Sequence, residues 1–333
     1  MINTGTATPR LDLLGPILNE AFDIDGYLAH RMFKPLTVQK RVGAIPSLLV
    51  TNDQVLNVLH SPKMPFARIV SSLGEKTYAC QEDGLEEQIS KEDYDILGED
   101  GAEAAVTRNL IHAILRARDN TIASSIFSAT GESTFAGQVT TASATWDNAS
   151  GDPYKDIADA TEKIVRRVGS DRLTLAIGYG AYIKLCKNAK VQSAFRAIAG
   201  YTDKKAGTSF FIPPEQLAAI FNLQEVIVGK GVANTAIEGQ AASRSFIIPS
   251  TYAALYVGSS GQQDANELCA GRMFVWEKAA IQNDLCTGTA DAVRSLFMEM
   301  YAEPQTDSWV YRVRDYVDMK FTQPEGLELI KSI

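Results

Sequence analysis

A chain of 333 residues, 45% hydrophobic and only 22% charged, is long enough to bury one or two sizeable cores and too apolar to stay disordered. Its 32 basic and 40 acidic residues leave a formal charge of −8, which excludes a surface built to coat nucleic acid, because that binding needs clustered Lys and Arg against phosphates. Cys80, Cys186, Cys269 and Cys286 lie far apart with no neighbouring histidine and no Cys-x-x-Cys, so neither a zinc site nor a redox pair is indicated and a reducing compartment fits.

The opening "MINTGTATPRLDLLGPILNEAF" lacks a basic start, and Asp12, Gly15 and Pro16 interrupt its apolar run, so a secretory signal is not expected. No segment reaches the roughly 18 to 20 apolar residues that span a bilayer. Residues 1–40, broken by Pro9, Pro16, Gly26 and Pro35, read as an irregular arm. Residues 41–80 mix β-branched and apolar groups around "HSPKMPFAR", whose two prolines forbid a continuous helix or central strand; a long hairpin is the simplest reading. A two-stranded hairpin is marginal in water, so something else must cover it.

Residues 82–103 hold ten acidic side chains and one basic one, Lys91. A calcium loop started at Asp93 fails, since its fifth position is Leu97 and its twelfth Ala104; the stretch reads instead as a solvated or partner-facing acidic surface. From Ala102 to Thr130 there is neither Gly nor Pro, and Val106, Leu110, Ala113 or Ile114, Ala117, Ile122 and Ile126 recur at helical spacing, with Arg108, Arg116, Arg118 and Asp119 on the other face. This predicts a helix about 40 Å long, a structural beam on which His112 is a packed or half-exposed residue. Residues 136–151 read as a loop, and Asp152-Pro153 opens a helix with a cap and a first-turn proline.

A compact α/β unit follows, with an apolar strand at 173–177, helices near 181–187 and 214–221, a strand at 225–229 and the run "SFIIPSTYAALYVG" at 245–258. In "SWVYRVRDYVDMKF", Trp309, Tyr311, Val313, Val317, Met319 and Phe321 share one parity, and Arg312, Arg314, Asp318 and Lys320 the other, which predicts a long half-buried strand of about 43 Å. "SLFMEMYAE" before it matches, "QPEGLELI" turns and returns, and this sheet has the length to lie along the helix.

Gly178-Tyr179-Gly180, between a strand and a helix, invites comparison with a dinucleotide fold, but Ile183 fills the third glycine position and the next acid is Asp203, so the glycines read as a sharp corner. With His30, His60 and His112 the only histidines, and no Gly-x-Ser-x-Gly, His-Glu-x-x-His or phosphate-loop lysine, no catalytic, cofactor-binding or metal-binding residues are assigned.

The order of parts, carried by "YACQEDGLEEQI", "AAVTRNLIHAILRARDNTIASSIFSATG", "LAIGYGAYIKLCKNAKVQSAFRAI", "LAAIFNLQEVIVGKG" and "WVYRVRDYVDMKFTQPEGLELI", resembles the major capsid proteins of tailed bacteriophages over nearly the whole chain. The resemblance implies an α+β, Hong Kong 97-type capsid fold: an N-terminal arm (1–40), an extended β-hairpin loop (41–80), a peripheral domain (81–151 and 291–333) with a spine helix at about 102–130 and long β-strands, and an α/β axial domain (152–290). It implies pentamers and hexamers of this chain in an icosahedral phage head around double-stranded DNA, no enzymatic turnover, no cofactor, and no membrane. Assembly would take place in the cytoplasm of a bacterial host and the product would reside in the virion.

In this reading arm and hairpin cannot bury their apolar groups within one subunit and lie across sister copies; the short arm implies a separate scaffolding protein, portal and decoration proteins are further expected partners, and packaged DNA would be touched weakly and without sequence preference. The expected inter-subunit contacts are Lys40, Arg41, Lys63, Phe66 and Arg68 from arm and loop, Glu82, Asp83, Glu86 and Glu87 from the acidic stretch, and Arg312 and Arg314, the basic groups facing the acids on the same or an adjacent copy. Lys63 near the loop tip has no motif to mark it for an isopeptide bond. Two alternatives are an encapsulin-like shell and, from another class, an α/β enzyme holding a phosphorylated ligand at Gly178–Gly180.

Overall fold

The computed structural model describes residues 8–9, 26–48, 73–97, 99–199, 211–237, 239–262, 264, 267–276 and 296–333. The first half runs β1 (Thr8–Pro9), α1 (Ala29–Met32), β2 (Pro35–Val38), β3 (Val42–Leu48), β4 (Leu73–Ala79), β5 (Gln81–Ser90), α2 (Lys91–Leu97), α3 (Glu99–Ser125), α4 (Ala129–Thr134) and β6 (Val139–Thr141). The second half runs α5 (Pro153–Val168), β7 (Leu173–Gly178), α6 (Tyr179–Lys187), α7 (Ala189–Ala199), α8 (Pro214–Phe221), β8 (Glu225–Gly229), β9 (Val232–Asn234), β10 (Arg244–Phe246), β11 (Tyr252–Val257), β12 (Arg272–Trp276), β13 (Leu296–Glu303), β14 (Ser308–Lys320) and β15 (Leu327–Lys331).

Two larger sheets share the long helix α3. The first has the order β1-β13-β14-β12-β2, with β5 paired along the other edge of β14. The second is β6-β15-β11-β7-β8. In that second sheet the parity of each strand decides which core it enters. Leu175 and Ile177, Val226 and Val228, Ala253 and Leu255, and Ile330 face a core shared with Ile157, Ala160 and Ile164 of α5. Ala176, Ile227, Ala254 and Leu329 face the opposite way, onto Ile122, Ile126 and Phe127 at the end of α3. Burial on both faces is why β7 reads as an unbroken apolar run rather than an alternation.

The spine helix is longer at its start and shorter at its end than expected, Glu99–Ser125, because Ser128 takes an extended backbone and accepts the Gly131 N–H at 3.1 Å, capping a new helix. Its buried positions come in adjacent pairs every four residues: Ala102 and Glu103, Val106 and Thr107, Leu110 and Ile111, Ile114 and Leu115, Arg118 and Asp119, Ile122 and Ala123. A four-residue step overshoots a 3.6-residue turn by about 40°, so the buried stripe winds round the helix. The first half thereby meets Leu296, Met298, Tyr311 and Val313 of β13 and β14, and the last turns meet the five-stranded sheet. Ala117, expected in the stripe, is exposed, while Arg118 and Asp119, expected outside, are buried.

Several elements lie elsewhere than the sequence reading put them. β15 leaves the long sheet and enters the five-stranded one between β11 and β6, with Ala254 opposite Leu329. β12, from the range read as axial, pairs with β14, and β2, from the range read as arm, pairs parallel with β12. β6 places a strand in the stretch read as a loop. The expectation that arm and hairpin bury their apolar groups only on sister copies is overturned where the structure describes them. Tyr27, Leu28, Ala29, Met32 and Phe33 are buried in this chain's own core, and Ile45, Tyr78 and Cys80 at the hairpin root pack with Leu36 and Phe274. Helix α5 is as expected: Asp152 accepts the Lys155 N–H at 3.4 Å, Pro153 opens the first turn, and Gly169 closes it at φ 72°.

Candidate assembly surface

The acidic stretch becomes the strand β5, antiparallel to β14 from Gln81 opposite Val317 to Ser90 opposite Ser308. Its even residues lie on the same face as Arg312 and Arg314. Arg312 forms an ion pair with Glu86, which stands directly across from it, and lies 3.7 Å from Glu299 on the other side. Arg314 pairs with Glu299 and reaches the diagonal Glu82 at 3.6 Å. The Tyr301 hydroxyl donates to Glu86 at 3.2 Å, and the Arg312 guanidinium lies over the Tyr301 ring at 5.1 Å. The outcome is a ladder of alternating charge across three strands, half exposed to water. Exposed pairs of this type contribute about 0 to 1 kcal/mol each, so the ladder fixes register more than it holds the sheet together.

The odd residues face the helix. Glu87 accepts from the Asn109 side chain of α3 at 3.2 Å, and Asp83 is exposed opposite Asp315. Glu92, Asp93 and Asp95 are exposed on α2, whereas Glu103 of α3 is 3% exposed and accepts from the Tyr311 hydroxyl at 3.0 Å. Lys40 and Arg41 sit exposed where the hairpin leaves the sheet; Arg41 donates to the Cys80 carbonyl at 3.0 Å and lies 5.9 Å from the Tyr316 ring. Tyr78 stacks on Phe274 with ring centroids 4.8 Å apart, which anchors the root. Lys63, Phe66 and Arg68 lie outside the described residues.

The structure thus brings Glu82, Glu86, Arg312 and Arg314 together within one chain and holds Lys40 and Arg41 at the hairpin root. Among the described residues no group of three or more His, Cys, Asp or Glu is placed to hold a metal ion, and no helix is long and apolar enough to cross a membrane.

The glycine pair at the start of α6 has a different cause from the one its sequence suggests. Gly178 is in an ordinary extended conformation, φ −74°. A Cβ there would stand 2.7 Å from the Ile248 carbonyl oxygen, and one on Gly180 would stand 2.7 Å from the Ser250 Cβ. Strand β7 passes straight into α6 here, as expected, and the glycines admit the segment 248–250 against the head of the helix rather than cradling a phosphate.

No family model matches the chain, and no curated relative does. Solved structures match it along almost its whole length. A phage-related protein from Bordetella bronchiseptica RB50 is similar at TM-score 0.68 and 17% identity, over 98% of each chain. The capsid of cyanophage P-SCSP1u is similar at TM-score 0.54 and 10% identity, over 92% of this chain and 88% of that one. The holo-SrpI encapsulin complex of Synechococcus elongatus PCC 7942 is similar at TM-score 0.51 and 11% identity, over 91% and 86%. The chain has the Hong Kong 97-type capsid fold.

Sequence reasoning missed the charges that join this capsid fold internally. Arg118 donates through Nε to Asp315 Oδ2 at 3.0 Å, both side chains being almost wholly buried between α3 and β14. Asp119 accepts the backbone N–H groups of Leu28, at 3.0 Å, and Ala29, at 2.8 Å, and so pins the start of α1. Burial pushes the Asp119 carboxyl up to about 6, against the opposing pull of those N–H groups and of Arg118. Next to it, burial holds His30 down to about 4, helped by the cations Arg118 and Arg31, and its Nδ1 has no hydrogen-bond partner. One signal was available: Arg118 stands four residues after Ile114, in the slot of the apolar stripe, and Asp315 falls on the parity of Val313 and Val317.

Proposed function

We propose that this chain is a shell-forming structural protein, the major capsid protein of a tailed-phage head, which assembles through pentamers and hexamers around double-stranded DNA. The observation that carries the reading is the agreement in fold with phage-derived and encapsulin proteins over nearly the full length of both partners. A second support is chemical. The strand-to-helix turn at Gly178–Gly180, which has the glycine spacing of a nucleotide site, is packed by residues 248–250, which removes the main reason to read an α/β enzyme here. The negative total charge fits a container whose DNA must leave again, since a strongly basic lining would hold it fast.

In this reading the arm (1–40) and the extended loop (41–80) reach neighbouring copies with those parts that do not enter this chain's own core, the surface around β5 and β14 forms the peripheral contacts, and the unit from 152 to 290 points toward the five- or six-fold axis. Lys63, Phe66 and Arg68 belong to the loop contact. Many moderate contacts repeated around closed rings make a strong shell. A scaffolding protein, a portal and a decoration protein are its expected partners, and the virion its location.

Electron microscopy of the purified chain tests the proposal. Rings, tubes or closed shells are expected; a small compact oligomer at every concentration and salt tried would overturn it. Arg68→Glu is expected to hinder assembly while leaving the subunit folded by circular dichroism. The encapsulin-like alternative rests on the likeness to the Synechococcus complex. Nuclease-protected DNA in particles taken from the producing cells selects the phage head, and particles free of it select the other shell.

A further inference from the structure

A cavity of about 490 Å³ opens between the second half of α3 and the strands β5 and β14. Its apolar wall includes Leu85, Ile114 and Val317; its acidic wall is Asp83, Asp315 and Asp318, against a single arginine, Arg118. Asp83 and Asp315 are register partners on adjacent antiparallel strands, which sets their Cβ atoms about 4.5 to 5.5 Å apart. Like charges directly opposite each other destabilise a sheet unless something positive lies between or beside them.

Arg118 answers only part of that charge. Both its Nε and its Nη2 go to Oδ2 of Asp315, and Oδ1, on a side chain 1% exposed, has no donor. Asp318 is engaged by the Ala79 N–H at 2.8 Å and lies 3.8 Å from Lys320. Asp83 stands exposed at the rim. A buried carboxylate oxygen without a donor is costly, and the missing group is a cationic donor. The apolar wall adds a second requirement, because a bare metal ion gains nothing from Leu85 and Ile114, whereas an arginine or lysine lays its aliphatic stem along such a surface.

We propose that this cavity takes the guanidinium or ammonium group of an arginine or lysine side chain from a second copy of the chain, its charge set against Asp83 and Asp315 and its stem along Leu85 and Ile114. The choice of a second copy rests on the shell reading above, in which each neighbour presents the same side chains; the chemistry of the cavity does not depend on it.

Saturation-transfer NMR with Nα-acetyl-arginine amide, and with the neutral, isosteric citrulline derivative as control, tests both parts. Unassembled subunits are expected to bind the arginine derivative saturably and the citrulline derivative about tenfold more weakly or not at all, and Asp83→Asn, at an exposed position, to lose that preference while melting normally. Equal binding of the two probes, or none, overturns the cavity proposal whatever the subunits assemble into. Assembled particles are expected not to bind, their cavities being filled; particles that bind as free subunits do overturn the second copy as the source. If no particles form, the shell reading fails while the subunit titration still decides the cavity.

Discussion

The two sheets differ in what surrounds them. The five-stranded sheet is enclosed on both faces, by α5 and its neighbours on one side and by the end of α3 on the other, and its inner strands β7 and β11 are almost entirely buried. In the six-stranded sheet the strands β5, β13 and β14 have one face on the first half of α3 and the other in water, where Arg312, Arg314, Glu82, Glu86 and Glu299 alternate in sign, while the hairpin root covers the β12 end. The first is a store of stability and the second a presented surface. It follows that substitutions in the enclosed sheet should change whether the subunit folds, and those on the open face should change what it meets.

The helix that both sheets share offers the most severe way to break this division. Replacing Arg118 with Ala leaves Asp315 charged and buried with no partner, and the loss is expected to be about 3 to 5 kcal/mol. Urea unfolding of unassembled subunits measures it. Asp315→Leu combined with Arg118→Met should recover most of the loss, since an apolar pair of similar volume replaces two desolvated charges. Failure of the double variant to recover would mean that the pair positions the helix on the sheet as well as neutralising itself.

Within the enclosed sheet, Leu255→Ala at the centre of β11 removes a fully buried side chain flanked by β7 and β15. A cost of about 2 to 5 kcal/mol is expected from lost burial and the cavity left behind. An unchanged urea midpoint would show that the sheet collapses around the gap and is less tightly packed than its burial implies.

A smaller effect, on the order of 2 kcal/mol at most, is expected at the clasp between α1 and α3, and it depends on pH. His30 is held at about 4 against an ordinary 6.5, so the unfolded chain takes up its proton first and this group removes stability as pH falls from 6.5 toward 4. Asp119 is raised to about 6 against 3.8, so the folded chain takes up its proton first and this group adds stability as pH falls from 6 toward 3.8. The two slopes oppose each other. His30→Gln leaves Asp119 alone, and the variant should gain stability relative to the parent between pH 6.5 and 4.5. Parallel stability curves for the two proteins over that range would show that His30 is not held neutral in the fold.

What the sequence makes legible is what depends on neighbours along the chain. The parity of β14, the length of α3 and the Asp152-Pro153 start of α5 all follow from period and capping, and all are present. What it hides is the choice of partner between distant segments. "GLELI" is a good strand in either sheet; the turn at Pro324–Gly326 sends it to the five-stranded one, where Leu329 and Ile330 face opposite cores. Arg118 and Asp119 look like members of a polar face because a straight helix with one buried stripe is the default, and the four-residue repeat winds that stripe under them. For the assembly surface, the acidic stretch and the two arginines were legible as complementary, but Glu299 and Tyr301, which complete the ladder, are set by strand pairing alone.

The open face sharpens the comparison through the smallest change in stability. Arg312→Glu replaces an attraction to Glu86 and Glu299 with repulsion across both flanking strands, at a site half exposed to water. Exposed pairs contribute about 0 to 1 kcal/mol, so the subunit should still fold, with its melting temperature nearly that of the parent. If the face only holds its own strands in register, Glu86→Arg in the same chain re-forms one of the two pairs, leaving the Glu299 side repulsive, and returns assembly part of the way to normal. If the face also meets a neighbouring copy, the reversed ladder presents the wrong sign to an unchanged partner, and assembly stays impaired although the intrachain pair is re-formed. Sedimentation of the single and double variants beside the parent separates the two, because a register role predicts partial recovery and an interface role predicts none.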